Sequence, residues 1–136
     1  MHQDWGRPVV DWTARLNDCL ELRCVRFAHN APGTLLLTGE LDTSAESLLE
    51  SLLLTLARCR PVLCLDLSEV TFVDMGGLRA LRRVAAALRH RGGRLVIEHP
   101  SDAVCQLTRL VGALEHRHDP AMAAGAHSVE RIVATA

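Results

Sequence analysis

Three groups of residues in this sequence have the types and spacing to do chemistry. Glu40 and Asp42 stand two apart in Gly39-Glu40-Leu41-Asp42, and two neighbouring carboxylates can share general acid and base work. Asp74 opens the run Asp74-Met75-Gly76-Gly77, where glycines at a helix start leave backbone N–H groups accessible to an anion. His116 and His118 share one face if their segment is extended, and His127 lies downstream, so imidazole coordination of a metal is a third chemistry to weigh.

Each of these chemistries lacks its complement. The sequence has no G-x-S-x-G, no H-E-x-x-H and no P-loop Gly-Lys-Ser/Thr, since it contains no lysine at all. Without a nucleophile or a ligand set, Glu40 and Asp42 suit helix capping and partner contacts better than a reaction, so no enzymatic activity is assigned. No cysteine or carboxylate spacing reinforces the histidines, so surface histidines and no metal or other cofactor are expected. The five cysteines, Cys19, Cys24, Cys59, Cys64 and Cys105, are odd in number and form no C-x-x-C, which suits buried free thiols in a reducing cytoplasm.

Composition narrows the partners further. At 136 residues and 49% hydrophobic, the chain is long enough for one core that needs no staples. A net charge of −1, two Phe, two Trp and no Tyr offer neither the basic surface nor the stacking rings of a nucleic-acid binder. All fifteen basic residues are Arg, which reads as compositional bias. The N-terminus has no basic patch followed by an apolar run, and apolar stretches such as Leu52-Leu53-Leu54 fall well short of the roughly 18 residues of a membrane span. A soluble cytoplasmic protein with no membrane partner is expected.

The elements that must position these residues follow from periodicity. Leu20 to Phe27 nearly alternates, Asn30-Ala31-Pro32-Gly33 supplies turn chemistry, and Thr34 to Thr38 is apolar, the pattern of a β-hairpin. Thr43-Ser44-Ala45-Glu46 matches a capping box, and Leu48, Leu49, Leu52, Leu53 and Leu56 then line one helical stripe that Pro61 stops. Val62 to Leu67 is a short apolar run placed in the middle of a sheet. Leu78, Leu81, Ala85 and Leu88 mark a second helix ending near Arg89-His90-Arg91 and Gly92. Leu95-Val96-Ile97 is a further strand, and Pro100-Ser101-Asp102 starts a helix whose apolar face is Val104, Leu107, Leu110 and Val111.

Alternating strands and helices with short connections predict an α/β sandwich, one mixed sheet of four to five strands packed by about four helices. Residues 1–19 read as a weakly patterned extension and 20–136 as the domain. Glu115 to His118 suggests a short edge strand, and the Ala-rich residues 121–135 a final helix weakened by Gly125.

The ordered set of Gly39-Glu40-Leu41-Asp42, Val62 through Gly77, Arg91-Gly92-Gly93-Arg94-Leu95 and the Pro100-Ser101 helix start resembles STAS domains of the anti-sigma-factor-antagonist type, from about Leu20 to Pro120. The resemblance implies a STAS fold and a cytoplasmic bacterial protein. It would bind an anti-sigma factor, often a serine kinase with a histidine-kinase-like ATP fold, and so free a sigma factor for transcription. In the family that kinase phosphorylates the second Ser of an Asp-Ser-Ser-Gly run. Asp74 and Gly77 match the run; Met75 replaces the first Ser and Gly76 the acceptor. No phosphorylation is therefore expected at Gly76, and Ser68 and Thr71 are the nearest upstream hydroxyls.

The partner-binding set implied in this way is Glu40, Asp42, Thr43, Asp74, Met75, Gly76, Gly77 and Arg79, facing an anti-sigma kinase or a paralogous STAS protein. A homodimer is compatible with it. Plainer roles stand beside these. Asp42 and Asp74 can cap helices, Gly77 can meet a backbone need, and Arg79, Arg82 and Arg83 can form a solvated basic face. Gly76 is harder to explain, since glycine in a first helical turn lowers helix propensity with no evident packing return. A ligand or nucleotide sensor in which the absent hydroxyl makes room for an anion, and a scaffold of a signalling complex, are the alternative functions.

Overall fold

The computed structural model describes residues 9–26, 33–115 and 129–134. Its strands are β1 (Val9–Arg15), β2 (Leu20–Arg26), β3 (Thr34–Leu41), β4 (Val62–Val73) and β5 (Arg94–Glu98). Its helices are α1 (Glu46–Ala57), α2 (Met75–His90), α3 (Asp102–Glu115) and α4 (Val129–Ala134), with a 3-10 turn over Thr43–Ala45. The expected mixed α/β architecture of the STAS fold is present, with five strands and four helices among the described residues.

The sheet runs in the order β1-β2-β3-β4-β5. The first three strands are antiparallel neighbours, and β4 lies parallel to both β3 and β5. This division follows from the connections. Only residues 27–33 separate β2 from β3 in the sequence, whereas α1 and α2 carry the chain across to each parallel strand.

Register puts Leu22 opposite Leu37, Cys24 opposite Leu35, Leu35 opposite Leu65, and Leu65 opposite Ile97. All of these side chains are buried. Their neighbours Arg23, Leu36, Cys64, Asp66 and Val96 are only half-buried. The period-2 alternation therefore directs one apolar face toward the helices. Leu49, Leu53 and Ala57 of α1 are buried against it, with Leu78, Leu81, Val84 and Leu88 of α2, Val104 and Val111 of α3, and Ile132 and Val133 of α4.

Several details depart from expectation. The stretch 1–19 contains β1, which pairs with β2 from Val9–Arg26 to Arg15–Glu21 across an irregularity at Val10/Trp12. Its Trp12 packs against the core, while Val9, Asp11, Thr13 and Arg15 are exposed; an edge strand with so little buried surface carries a faint hydrophobic pattern. Leu48 and Leu110 lie outside the core, at 53% and 57% exposure, because the strips that meet the core are narrower than the apolar stripes in the sequence. Glu115 is the last residue of α3 rather than part of a strand, and His116 to His118 and His127 fall outside the described residues. Cys24 is buried, Cys64 and Cys105 are half-buried, and Cys19 and Cys59 are exposed, against the expectation of uniformly buried thiols.

Candidate functional site

Parallel pairing of β3 and β4 brings the two motif loops together. Leu41 pairs with Val73, and the Asp74 amide donates to the Leu41 carbonyl at 3.2 Å. Both chains then turn into helices at the same end of the sheet, so Asp42-Thr43 and Asp74-Met75 lie side by side.

Asp74 holds the pair. Its Oδ1 accepts the Gly77 amide at 2.9 Å, which caps α2. Its Oδ2 accepts both the amide and the hydroxyl of Thr43, each at 3.2 Å. Burial pushes the Asp74 carboxyl up, but donation from the Gly77, Thr43 and Gly76 amides and the Thr43 hydroxyl outweighs it and keeps the group below the usual carboxylate range. Capping and loop joining thus coexist in one side chain.

The capping box expected at Thr43 and Glu46 does not form. Asp42 caps the 3-10 turn instead, accepting the Ser44 amide at 2.9 Å and the Ser44 hydroxyl. Glu46 turns to α2, where it meets Arg79 Nε and Arg83 Nη1, each at 3.0 Å. Two guanidinium donors outcompete one neutral backbone amide for the same carboxylate. Hydrogen bonding from Arg79 lowers the Glu46 carboxyl below its ordinary range, more than its burial raises it.

The basic face of α2 is accordingly occupied. Arg83 also reaches Glu50 at 3.3 Å, and Arg82 pairs with Glu115. Arg79 braces α2 against α1, and this role was invisible in the sequence because Glu46 lies 33 residues away.

Gly76 and Gly77 are buried, and both have packing reasons. A Cβ on Gly77 would stand 2.3 Å from the Leu41 carbonyl oxygen, and one on Gly76 would stand 2.2 Å from Thr43 Oγ1 and 2.7 Å from Thr43 Cα. The first turn of α2 therefore approaches the end of β3 at a distance only glycine permits. Thr43 fills the space beside Gly76 that the sensor reading reserved for an anion, and the Asp74 carboxylate already takes the Gly77 amide.

Around this junction Met75 is 44% exposed and Phe72 is 48% exposed. Phe72 was not among the residues picked from the sequence, and alternation along β4 would have placed it on the buried face of Val70; its exposure follows from the break in that alternation at Thr71 and Phe72. Glu40 is exposed beside Phe72 in the register, and its amide donates to the Cys19 carbonyl at 2.8 Å. A hydrogen bond to Glu40 raises the Cys19 thiol above its usual range, which leaves it a poor nucleophile.

Ser68 and Thr71 lie elsewhere, on the wall of an open cavity shared with His99, Pro100, Ser101 and Asp102. The Thr71 hydroxyl donates to the Gly39 carbonyl at 3.3 Å. No cluster of three metal-binding side chains occurs among the described residues, and no helix there is long and apolar enough to cross a membrane.

A family model described as "Mlab, STAS domain" matches residues 25–118, well over half of the chain. The protein belongs to the STAS domain family. The matched span of this STAS domain runs from the end of β2 through α3 and contains both joined loops. No curated protein matches the chain. STAS domains mediate protein–protein interactions in regulation, and it is on that footing that the Asp42-Thr43 and Asp74-Met75 junction is read as an interaction surface.

Proposed function

We propose that this STAS domain is a cytoplasmic, non-catalytic interaction module that binds an anti-sigma factor of the serine-kinase type, or a paralogous STAS protein, and so controls sigma-factor-dependent transcription. The observation that carries the reading is the Thr43–Asp74 junction, which fixes two loops as one surface with the apolar Phe72 and Met75 standing out beside it. An exposed methionine adapts to irregular partner surfaces, and an aromatic neighbour supplies contact area at low entropic cost. Gly76 offers no hydroxyl, so phosphorylation at that position is not the input.

Affinity capture with the purified domain from its source cell, followed by a direct binding titration with the recovered protein, tests this. An ATP-fold kinase that itself holds a sigma factor, bound about tenfold more weakly by Met75→Ala or Phe72→Ala, is the expected result. Recovery of transporter subunits, or a kinase whose affinity ignores both substitutions, would overturn it.

A further inference from the structure

The sheet ends on β5, which among the described residues pairs with β4 alone and does so without a register shift, from Val62–Arg94 to Asp66–Glu98. The Arg94 amide donates to the Pro61 carbonyl at 2.9 Å, so the backbone groups of Arg94, Val96 and Glu98 point into the sheet. By the alternation of a parallel ladder, those of Leu95 and Ile97 point out of it. An outer edge of this kind is a template for another strand.

The edge is also self-complementary in charge. Arg94, Val96 and Glu98 share the face of the sheet away from the helices, because Leu95 and Ile97 are buried on the other. Arg94 is exposed and Glu98 is half-buried beside the Cys64 thiol. Neither enters an ion pair among the described residues, although Arg23, Arg26, Arg79, Arg82 and Arg83 all do. Four positions apart on one strand, they stand roughly 13 Å from each other, too far to pair within the chain.

We infer that β5 is a dimerisation edge whose occupant is β5 of a second copy of this chain, antiparallel about a twofold axis at Val96. That arrangement sets Arg94 opposite the partner's Glu98, Glu98 opposite the partner's Arg94, and Val96 opposite the partner's Val96. Leu95 exchanges both backbone bonds with the partner's Ile97, which uses the groups that point outward. The contact is isologous, so each pairing occurs twice. Other arrangements lose it. Parallel pairing in register sets like charges against each other, and an antiparallel slip of two residues leaves Arg94 and Glu98 without opposite charges.

The opposite edge of the sheet has no such property. Strand β1 is broken by the irregularity at Val10/Trp12, its Asp11 is held by Arg26, and its Arg15 donates to the Asp18 carbonyl at 3.0 Å. Joined through β5, the sheets of two copies form one continuous sheet. The strands of the two copies run in opposite directions, so their Thr43–Asp74 junctions stand at opposite ends of it. Five residues a side make a small interface, so the association is reversible and concentration-dependent.

Sedimentation equilibrium of the purified chain in low salt tests this, with wild type, Arg94→Glu, Glu98→Arg and the double variant. Wild type is expected to dimerise, and each single substitution, which sets like charges together twice, to weaken dimerisation by about tenfold. An equal mixture of the two single variants is expected to regain the dimer, since each then offers the charges the other lacks, and the double variant to regain it alone. A wild type that stays monomeric up to its solubility limit overturns the inference. So does a dimer whose strength ignores both substitutions, or a mixture no stronger than either variant by itself. Thermal unfolding verifies that each variant is folded. Because this readout needs no captured partner, it fails separately from the binding titration above.

Discussion

Thr43 gives both its amide and its hydroxyl to one oxygen of Asp74, each over 3.2 Å, so the loop after β3 and the loop after β4 are fastened by a single carboxylate. The other oxygen of that carboxylate caps α2. Replacing Asp74 by Ala removes the cap and both ties, and is expected to cost about 1–2 kcal/mol. Asp74→Asn, which keeps an acceptor for Gly77, should cost less. Urea unfolding of the two variants against wild type checks the order; equal losses would contradict the shared role.

Glycine at 76 and 77 is a packing requirement. Gly77→Ala drives a Cβ to 2.3 Å from the Leu41 carbonyl oxygen, a contact with backbone that cannot swing aside, and should destabilise by about 1–3 kcal/mol. Gly76→Ala meets Thr43 Oγ1 first. Thr43→Ala should therefore relieve part of the loss, with a coupling of about 0.5–3 kcal/mol in a double-mutant cycle. Additive losses would show that the two residues do not compete for this space.

Acid stability should report on Asp74 and Glu46. Both carboxyls sit below their ordinary values in the folded state, so on acidification the unfolded chain takes up these protons first. Their stabilisation is present above about pH 4 and is lost as pH falls through the lowered folded values. Asp74→Asn and Glu46→Gln are each expected to flatten the acid limb of a stability-versus-pH curve. An unchanged slope in both would rule out the hydrogen bonds as its source.

The brace between α1 and α2 is ionic and half-exposed. Glu46→Gln should lower the thermal midpoint in low salt, and the difference from wild type should shrink as salt rises toward 1 M, where screening acts within about 3 Å. Arg79→Ala should behave alike. A salt-independent loss would assign Glu46 a packing role instead.

How much of this was legible beforehand depended on the range of the interaction. Leu22, Leu35, Leu65 and Ile97 announced their strands because alternation is written into consecutive residues, and the stripes of Leu49-Leu53 and Leu78-Leu81-Leu88 announced helices in the same way. The resemblance carried by Gly39 to Asp42 and Val62 to Gly77 singled out the two loops that the sheet brings side by side. Strand β1 escaped because an edge strand buries little and so needs little pattern. Glu46 was misread as half of a capping box because the local motif is real, but its competitors, Arg79 and Arg83, come from another helix.

The order of elements from β2 to α3, the α/β class and the absence of a hydroxyl at residue 76 were all determined by the sequence alone, since each is a property of neighbouring residues or of a single side chain. Tertiary structure alone decided what stands next to Gly76. Parallel pairing of β3 with β4 carries Thr43 across 33 residues into the space a serine side chain would begin to fill, and no local pattern records a contact made by the closure of the sheet.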